Sequence, residues 1–141
     1  MTALLPDLMT RKIRLHEYVI GGAILTGGLR VFNTLRQAGW KPEIDQTLKR
    51  LWAWIEAARP SDDEFSERLA KIIVKYKLID TIYEWELCFD DVLVRDLSLQ
   101  HSEAVALWAL EQINHIKTLR DEYSYFVGMI NSQVIFDPVG V

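Results

Sequence analysis

Cysteine is all but missing from this chain: Cys88 is the one thiol in 141 residues, so no internal disulfide can form. A lone thiol suits a reducing compartment. Proline occurs four times and glycine seven, too few for a collagen-like or low-complexity chain. Long apolar runs are also missing. The least polar stretch, Tyr18–Leu29, holds twelve uncharged residues between Glu17 and Arg30, whereas a membrane span needs about 20. Leu4–Pro6 is too short for the apolar part of a secretory signal, and Arg11, Lys12 and Arg14 follow it. These absences predict a soluble cytoplasmic protein with no membrane partner. Nor is there a basic surplus. With 16 Lys+Arg against 20 Asp+Glu, a net charge of −4 and a pI near 5.4, dedicated nucleic-acid binding is disfavoured.

What is present is a globular composition, 50% hydrophobic and 26% charged, in a chain long enough to bury one core. Apolar residues recur every three or four positions almost throughout. Met9, Ile13, His16, Ile20, Ile24, Gly27, Val31, Leu35 and Ala38 make one stripe, predicting a helix over 7–38 that Gly39 and Pro42 terminate. The pairs Gly21-Gly22 and Gly27-Gly28 either break this helix near 21–28 or bend it. Four interior glycines need a reason, and a close helix crossing supplies one. A second helix is predicted over 43–59 on the stripe Ile44, Leu48, Leu51, Ile55, Ala58. Ser61 and Glu64 then form a capping box.

No glycine or proline occurs between Ser61 and Val127, so the turns there must use other residues. The stripe Phe65, Leu69, Ile72, Tyr76, Ile79, Tyr83 runs unbroken, predicting one helix over 62–95 with its best break at Asp96-Leu97-Ser98, Asp90-Asp91 being the alternative break and Asp80-Thr81 the alternative site of a kink. Ser98 is the expected cap of the next helix. Val105 through Ile130 continue in register, predicting a helix over 99–131 and an irregular tail over 132–141. No strand pattern or hairpin dipeptide occurs. The expected fold is all-α, a single compact bundle of four to five helices spanning 1–141, joined by short polar turns.

Signatures of catalysis are sparse. The chain has no His-Glu-x-x-His, no cysteine pair and no Gly-x-Ser-x-Gly, and no cofactor is expected. Cys88 sits among apolar and acidic neighbours that raise a thiol's pKa. His16 lies on the apolar stripe and reads as a hydrogen-bonded core residue. His101 and His115 are about 21 Å apart on a continuous helix, too far to share a metal. Glu64 and Glu67 form a Glu-x-x-Glu, and Glu84, Glu86, Asp90 and Asp91 follow. This set resembles the all-α nucleotide pyrophosphohydrolases of the MazG type. The resemblance implies a magnesium-dependent hydrolase with ligands Glu64, Glu67, Glu84 and Asp91. The chain departs from that pattern in Glu86-x-x-x-Asp90, one residue longer than the family's Glu-x-x-Asp, which turns the last carboxylate by about 100°. Glu64–Arg68 and Glu67–Lys71 also have the spacing of ordinary helix ion pairs.

Charge is divided along the chain: residues 1–59 carry a net +4 and residues 60–141 a net −8. Asp80, Glu84 and Asp91 share a helix face, with Trp85 beside them. Acids interleaved with aromatics suit a cationic partner, since charge steers encounter and rings supply buried area. Of five tryptophans, Trp40 in its Gly39-Trp40-Lys41-Pro42 turn is the first candidate for exposure, and Trp54, off the apolar stripe, the second. The leading expectation is therefore a non-catalytic protein-interaction module of the inhibitor, immunity or anti-defence kind. It would bind a basic partner through Trp40, Trp54, Asp80, Glu84, Trp85 and Asp91. The alternatives are self-association, the magnesium hydrolase, and a nucleic-acid-associated subunit using Arg11, Lys12, Arg14, Lys71, Lys75 and Lys77.

Overall fold

The computed structural model describes residues 4–96, 98–99 and 101–136. Among them lie six helices and no strand: α1 (Leu4–Gly27), α2 (Leu29–Gln37), α3 (Gln46–Ala58), α4 (Asp62–Lys75), α5 (Ile79–Arg95) and α6 (Ser102–Phe136). The all-helical class is as expected; a turn in the 21–28 region, one of the two readings open there, gives the fifth helix, and one unexpected turn gives the sixth.

The first turn is Gly28, between α1 and α2. Its φ of 76° is open to glycine and strained for other residues, and its carbonyl accepts the first bonds of α2 from Val31 and Phe32. The second divides the helix expected over 62–95. Leu78 N–H donates to the Ile73 carbonyl and Lys77 N–H to that of Val74, while Lys77 takes φ 53°. This is the Schellman stop that glycine usually makes, built here on a lysine, and so silent in a glycine-and-proline reading.

Other boundaries move for physical reasons. The helix expected from 43 begins at Gln46, because the amides of residues 43–45 are turned toward Glu17 instead. Ser98 does not cap α6: its amide and hydroxyl both bond the Asp96 carboxylate, and α6 starts at Ser102. Residues 132–136 continue α6 where an irregular tail was expected; 137–141 lie outside the described residues. The Ser61 cap on α4 is present, with the Glu64 amide donating to Ser61 Oγ at 3.3 Å.

Helix α1 is the axis of the core and packs along both α5 and α6. Ile13, Ile20 and Ile24 are fully buried, each contributing about 1.5–3 kcal/mol. The glycines let α5 approach closely. A Cβ on Gly21 would fall inside the indole of Trp85, and one on Gly22 would strike the Trp85 carbonyl and the Phe89 Cβ. From α6, Val105, Ala106, Ala109 and Ile113 complete the cluster. Burial on α6 then stops: no described residue beyond Ile116 is buried. Helix α4 is also thinly packed, with Phe65 its one buried side chain.

Candidate interaction surface

Trp40 is 3% exposed, which corrects its expected place on the surface. Gly39, at φ 90°, ends α2 in a Schellman turn in which the Trp40 amide bonds the Leu35 carbonyl at 3.0 Å. That turn folds Trp40 back onto its own helix, and its ring meets Phe32 edge-on, centroids 5.8 Å apart. The motif was legible in Gly39-Trp40: the apolar residue after a C-terminal glycine commonly packs backward.

Trp85 is 0% exposed and is likewise removed from any docking surface. Its indole lies against Gly21, and its N–H donates to Asp45 Oδ2 at 3.0 Å. Asp45 Oδ1 meanwhile accepts from the Leu48 amide at 2.9 Å, capping α3. The same bend carries a second carboxylate that the sequence reading missed. Glu17, 1% exposed in the middle of α1, accepts the amides of Glu43 (2.6 Å), Ile44 (2.9 Å) and Asp45 (2.7 Å). Three successive N–H groups around one carboxylate form an anion nest. Burial pushes the Glu17 pKa up; the three amides oppose this, and the Asp45 charge adds to the rise. Glu43 turns outward to Arg120 (2.6 Å) and Lys117 (3.7 Å) on α6. One network thus ties α1, α3, α5 and α6 together. Its one signal in the sequence is Glu17 itself, a charge next to the most apolar stretch.

Trp54 is half-buried, stacked on Phe65 with centroids 6.1 Å apart, and Arg68 lies 5.1 Å over its face. Arg68 is therefore not paired with Glu64, whose carboxylate takes the Ser61 hydroxyl at 3.2 Å. Glu67 pairs with Lys71 at 3.1 Å. Among the described residues no group of three or more His, Cys, Asp or Glu side chains is placed to hold a metal ion, so the quartet Glu64, Glu67, Glu84 and Asp91 is not assembled. His16 is half-buried, its Nδ1 2.7 Å from the Lys12 carbonyl and its ring 5.4 Å from Trp108. Burial first, then Glu84 and Asp91, raise the Cys88 thiol.

The face that remains is the outer one of α5. Ile79, Tyr83, Leu87 and Val94 lie within a roughly 80° sector opposite the buried Trp85, Phe89 and Val92. All four are exposed, Tyr83 at 60% and Val94 at 78%. Exposed acids accompany this apolar strip: Asp80, Glu84 and Asp91 run along one edge, Glu86 stands at the other, and Asp90 falls within the sector, between Ile79 and Tyr83. Asp91 also pairs with Arg95 at 2.9 Å. Among the described residues no helix is long and apolar enough to cross a membrane.

No protein-family model matches this chain, and neither a curated protein nor a solved structure does. Function therefore rests on the geometry.

Proposed function

We propose that this chain is a non-catalytic protein-interaction module, a small acidic inhibitor or immunity-type protein that binds a basic partner through the outer face of α5. One observation carries the reading: an exposed apolar strip, Ile79, Tyr83, Leu87 and Val94, is edged by a row of carboxylates on one side and Glu86 on the other, with Asp90 within it, on a helix whose opposite face is locked in the core. The strip offers area that loses water on docking, and the acids select a cationic partner and speed its approach. A basic amphipathic helix fits this pattern, with its apolar side on Tyr83 and its lysines or arginines against Glu84, Asp91, Glu86 and Asp90. Of the aromatics first expected here, Tyr83 takes the place of Trp40 and Trp85.

The test uses a synthetic lysine–leucine amphipathic helix as probe, with an all-lysine peptide of equal charge as control. The amphipathic probe should bind more tightly than the control and shift the Tyr83 resonances. Glu84→Lys with Asp91→Lys should slow association at low salt, the difference shrinking as salt screens it over about 8 Å. Tyr83→Ser should remove the preference for the amphipathic probe. Equal binding of both peptides, or unchanged association in a folded double variant, would refute the α5 face as the docking surface.

A second reading has its own observation. Leu119, Phe126 and Ile130 are exposed on α6 beyond the core and, with Tyr123, keep the three–four spacing of a helix-pairing seam. This favours self-association through the far half of α6. Light scattering on the full chain tests it: a dimer that becomes monomeric in Phe126→Glu supports it, and a monomer at every concentration removes it.

A further inference from the structure

Between α3, α4 and the start of α5 lies a cavity of about 880 Å³, within the range of small-molecule sites. It exists because α4 touches the body lightly: on the half-buried side of that helix Leu69 reaches the core, while Ile72 and Ile73 line open space. Leu51 of α3 and Ile82 of α5 continue the apolar lining.

The charges around the cavity run against the protein as a whole. In a chain of net charge −4, the lining holds four cations, Arg50, Arg68, Lys71 and Lys75, against two acids, Glu64 and Glu67. Glu67 is paired with Lys71, while Glu64 accepts the Ser61 hydroxyl and keeps its charge, which leaves the lining at a net +2. Arg68 lies over the Trp54 ring, while Arg50 and Lys75 both lie over Tyr76, 6.0 and 5.4 Å from its centroid. None of these three has a carboxylate partner among the described residues. Rings hold the cations at the wall yet leave their hydrogen-bond donors open. An apolar hollow with a net positive lining and three cations free of ion pairs is complementary to one kind of molecule.

We propose that this cavity binds a small amphipathic anion, a molecule with an apolar body and a single carboxylate or phosphate head. The body occupies the space along Leu51, Leu69 and Ile72, and the head meets Arg50, Arg68 and Lys75. Arg68 makes a bidentate contact available, which a lysine would not. The site is distinct from the outer face of α5, so either assignment can fail without the other.

Calorimetric titration of the full chain tests this, with decanoate below its micelle concentration as probe. Decyltrimethylammonium (same chain, opposite head), acetate (head without chain) and anionic phospholipid vesicles serve as comparisons. The expected result is saturable one-to-one binding of decanoate alone, accompanied by a rise in melting temperature. Arg68→Glu, at an exposed position, should weaken it by about tenfold. Ile72→Trp, which fills the hollow, should abolish it, with Leu69→Trp as the substitute if that variant does not fold. Equal binding of the cationic and anionic chains would overturn the proposal by showing an unselective greasy surface. Binding to vesicles without binding to decanoate would overturn it in favour of a membrane-facing basic patch. Absence of binding by every probe, or full binding in a folded Ile72→Trp, would overturn it outright.

Discussion

Helices α1 and α4 carry similar three–four stripes and meet opposite fates. Along α1, Ile13, Val19, Ile20, Ala23 and Ile24 are buried, and its glycines admit Trp85 and Phe89 to within backbone contact. Along α4, Phe65 is buried while Leu69, Ile72 and Ile73 stop half-way and Val74 stands in solvent. Apolar spacing determines which side of a helix turns inward. How deep that side goes depends on whether small residues let a neighbour close in, and on whether the buried polar groups find partners. Helix α1 has both conditions, in Gly21-Gly22 and in the Glu17 nest; α4 has neither. Regions of sparse packing open at low free-energy cost, and ligand-binding segments are drawn from them.

The contrast can be broken most forcefully at Glu17. Glu17→Leu strands three amides, that of Asp45 buried and those of Glu43 and Ile44 part-buried, and should cost on the order of 3–5 kcal/mol in urea unfolding, a large share of a stability of roughly 5–15. A loss under about 1 kcal/mol would show that the nest is not what fixes α1. Next in size is Gly21→Ala. Its methyl would displace the Trp85 indole, for about 1–3 kcal/mol of overpacking and a change in the near-ultraviolet dichroism of that ring. An unchanged midpoint would mean that the crossing has slack.

The pH dependence sharpens the same comparison. Because burial raises the Glu17 pKa above its ordinary 4.5, folding favours its protonated form relative to the unfolded chain. Its contribution to stability is thus full below the unfolded value and is lost as pH rises through the higher folded one. Stability measured upward from pH 4.5 should carry this declining component, and Glu17→Gln, which cannot titrate, should lack it. Parallel profiles in the two proteins would contradict the assigned direction. The smallest effect belongs to α4, where Leu69→Ala should cost only about 1 kcal/mol, because the side chain is half-buried already. Backbone amides of α4 should exchange with solvent well before those of Ile13–Ile24. Equal protection of the two helices would dissolve the distinction altogether.

The sequence announced helices well and joints poorly. The Ser61 cap, the Gly39 stop and the glycine crossing followed from residue types with a single physical use. Lys77 did not, because a lysine in a left-handed turn has no marker of its own, and the stripe from Phe65 to Tyr83 runs straight through it. For the candidate site, the acids of α5 were legible from their spacing and their exposure follows from the helix face they occupy. Trp85 is not the ring that accompanies them, because it lies two positions from both Tyr83 and Leu87 of the strip. Two residues turn the helix by about 200°, so Tyr83 faces solvent while Trp85 fills the core. Glu17 stayed hidden for a different reason: its partners are backbone amides, which every residue has and no sequence pattern displays, and Asp45 divides its carboxylate between such an amide and the Trp85 indole forty residues away.

The joint at Lys77 divides more than two helices. Up to and including it the chain holds thirteen basic and nine acidic residues, a net +4; after it there are three basic and eleven acidic, a net −8. The α1 seam with α5 and α6 lies across that division, and so does the Trp85–Asp45 bond. The junction itself is exposed, and a lysine in an exposed turn is what trypsin cuts. Severed there, the protein becomes two segments of opposite charge whose buried surfaces fit each other, a natural pair for reconstitution. Mixing the two halves should therefore restore the helical spectrum, fastest at low ionic strength, and the fold can be treated as a complex of two peptides that one peptide bond happens to join.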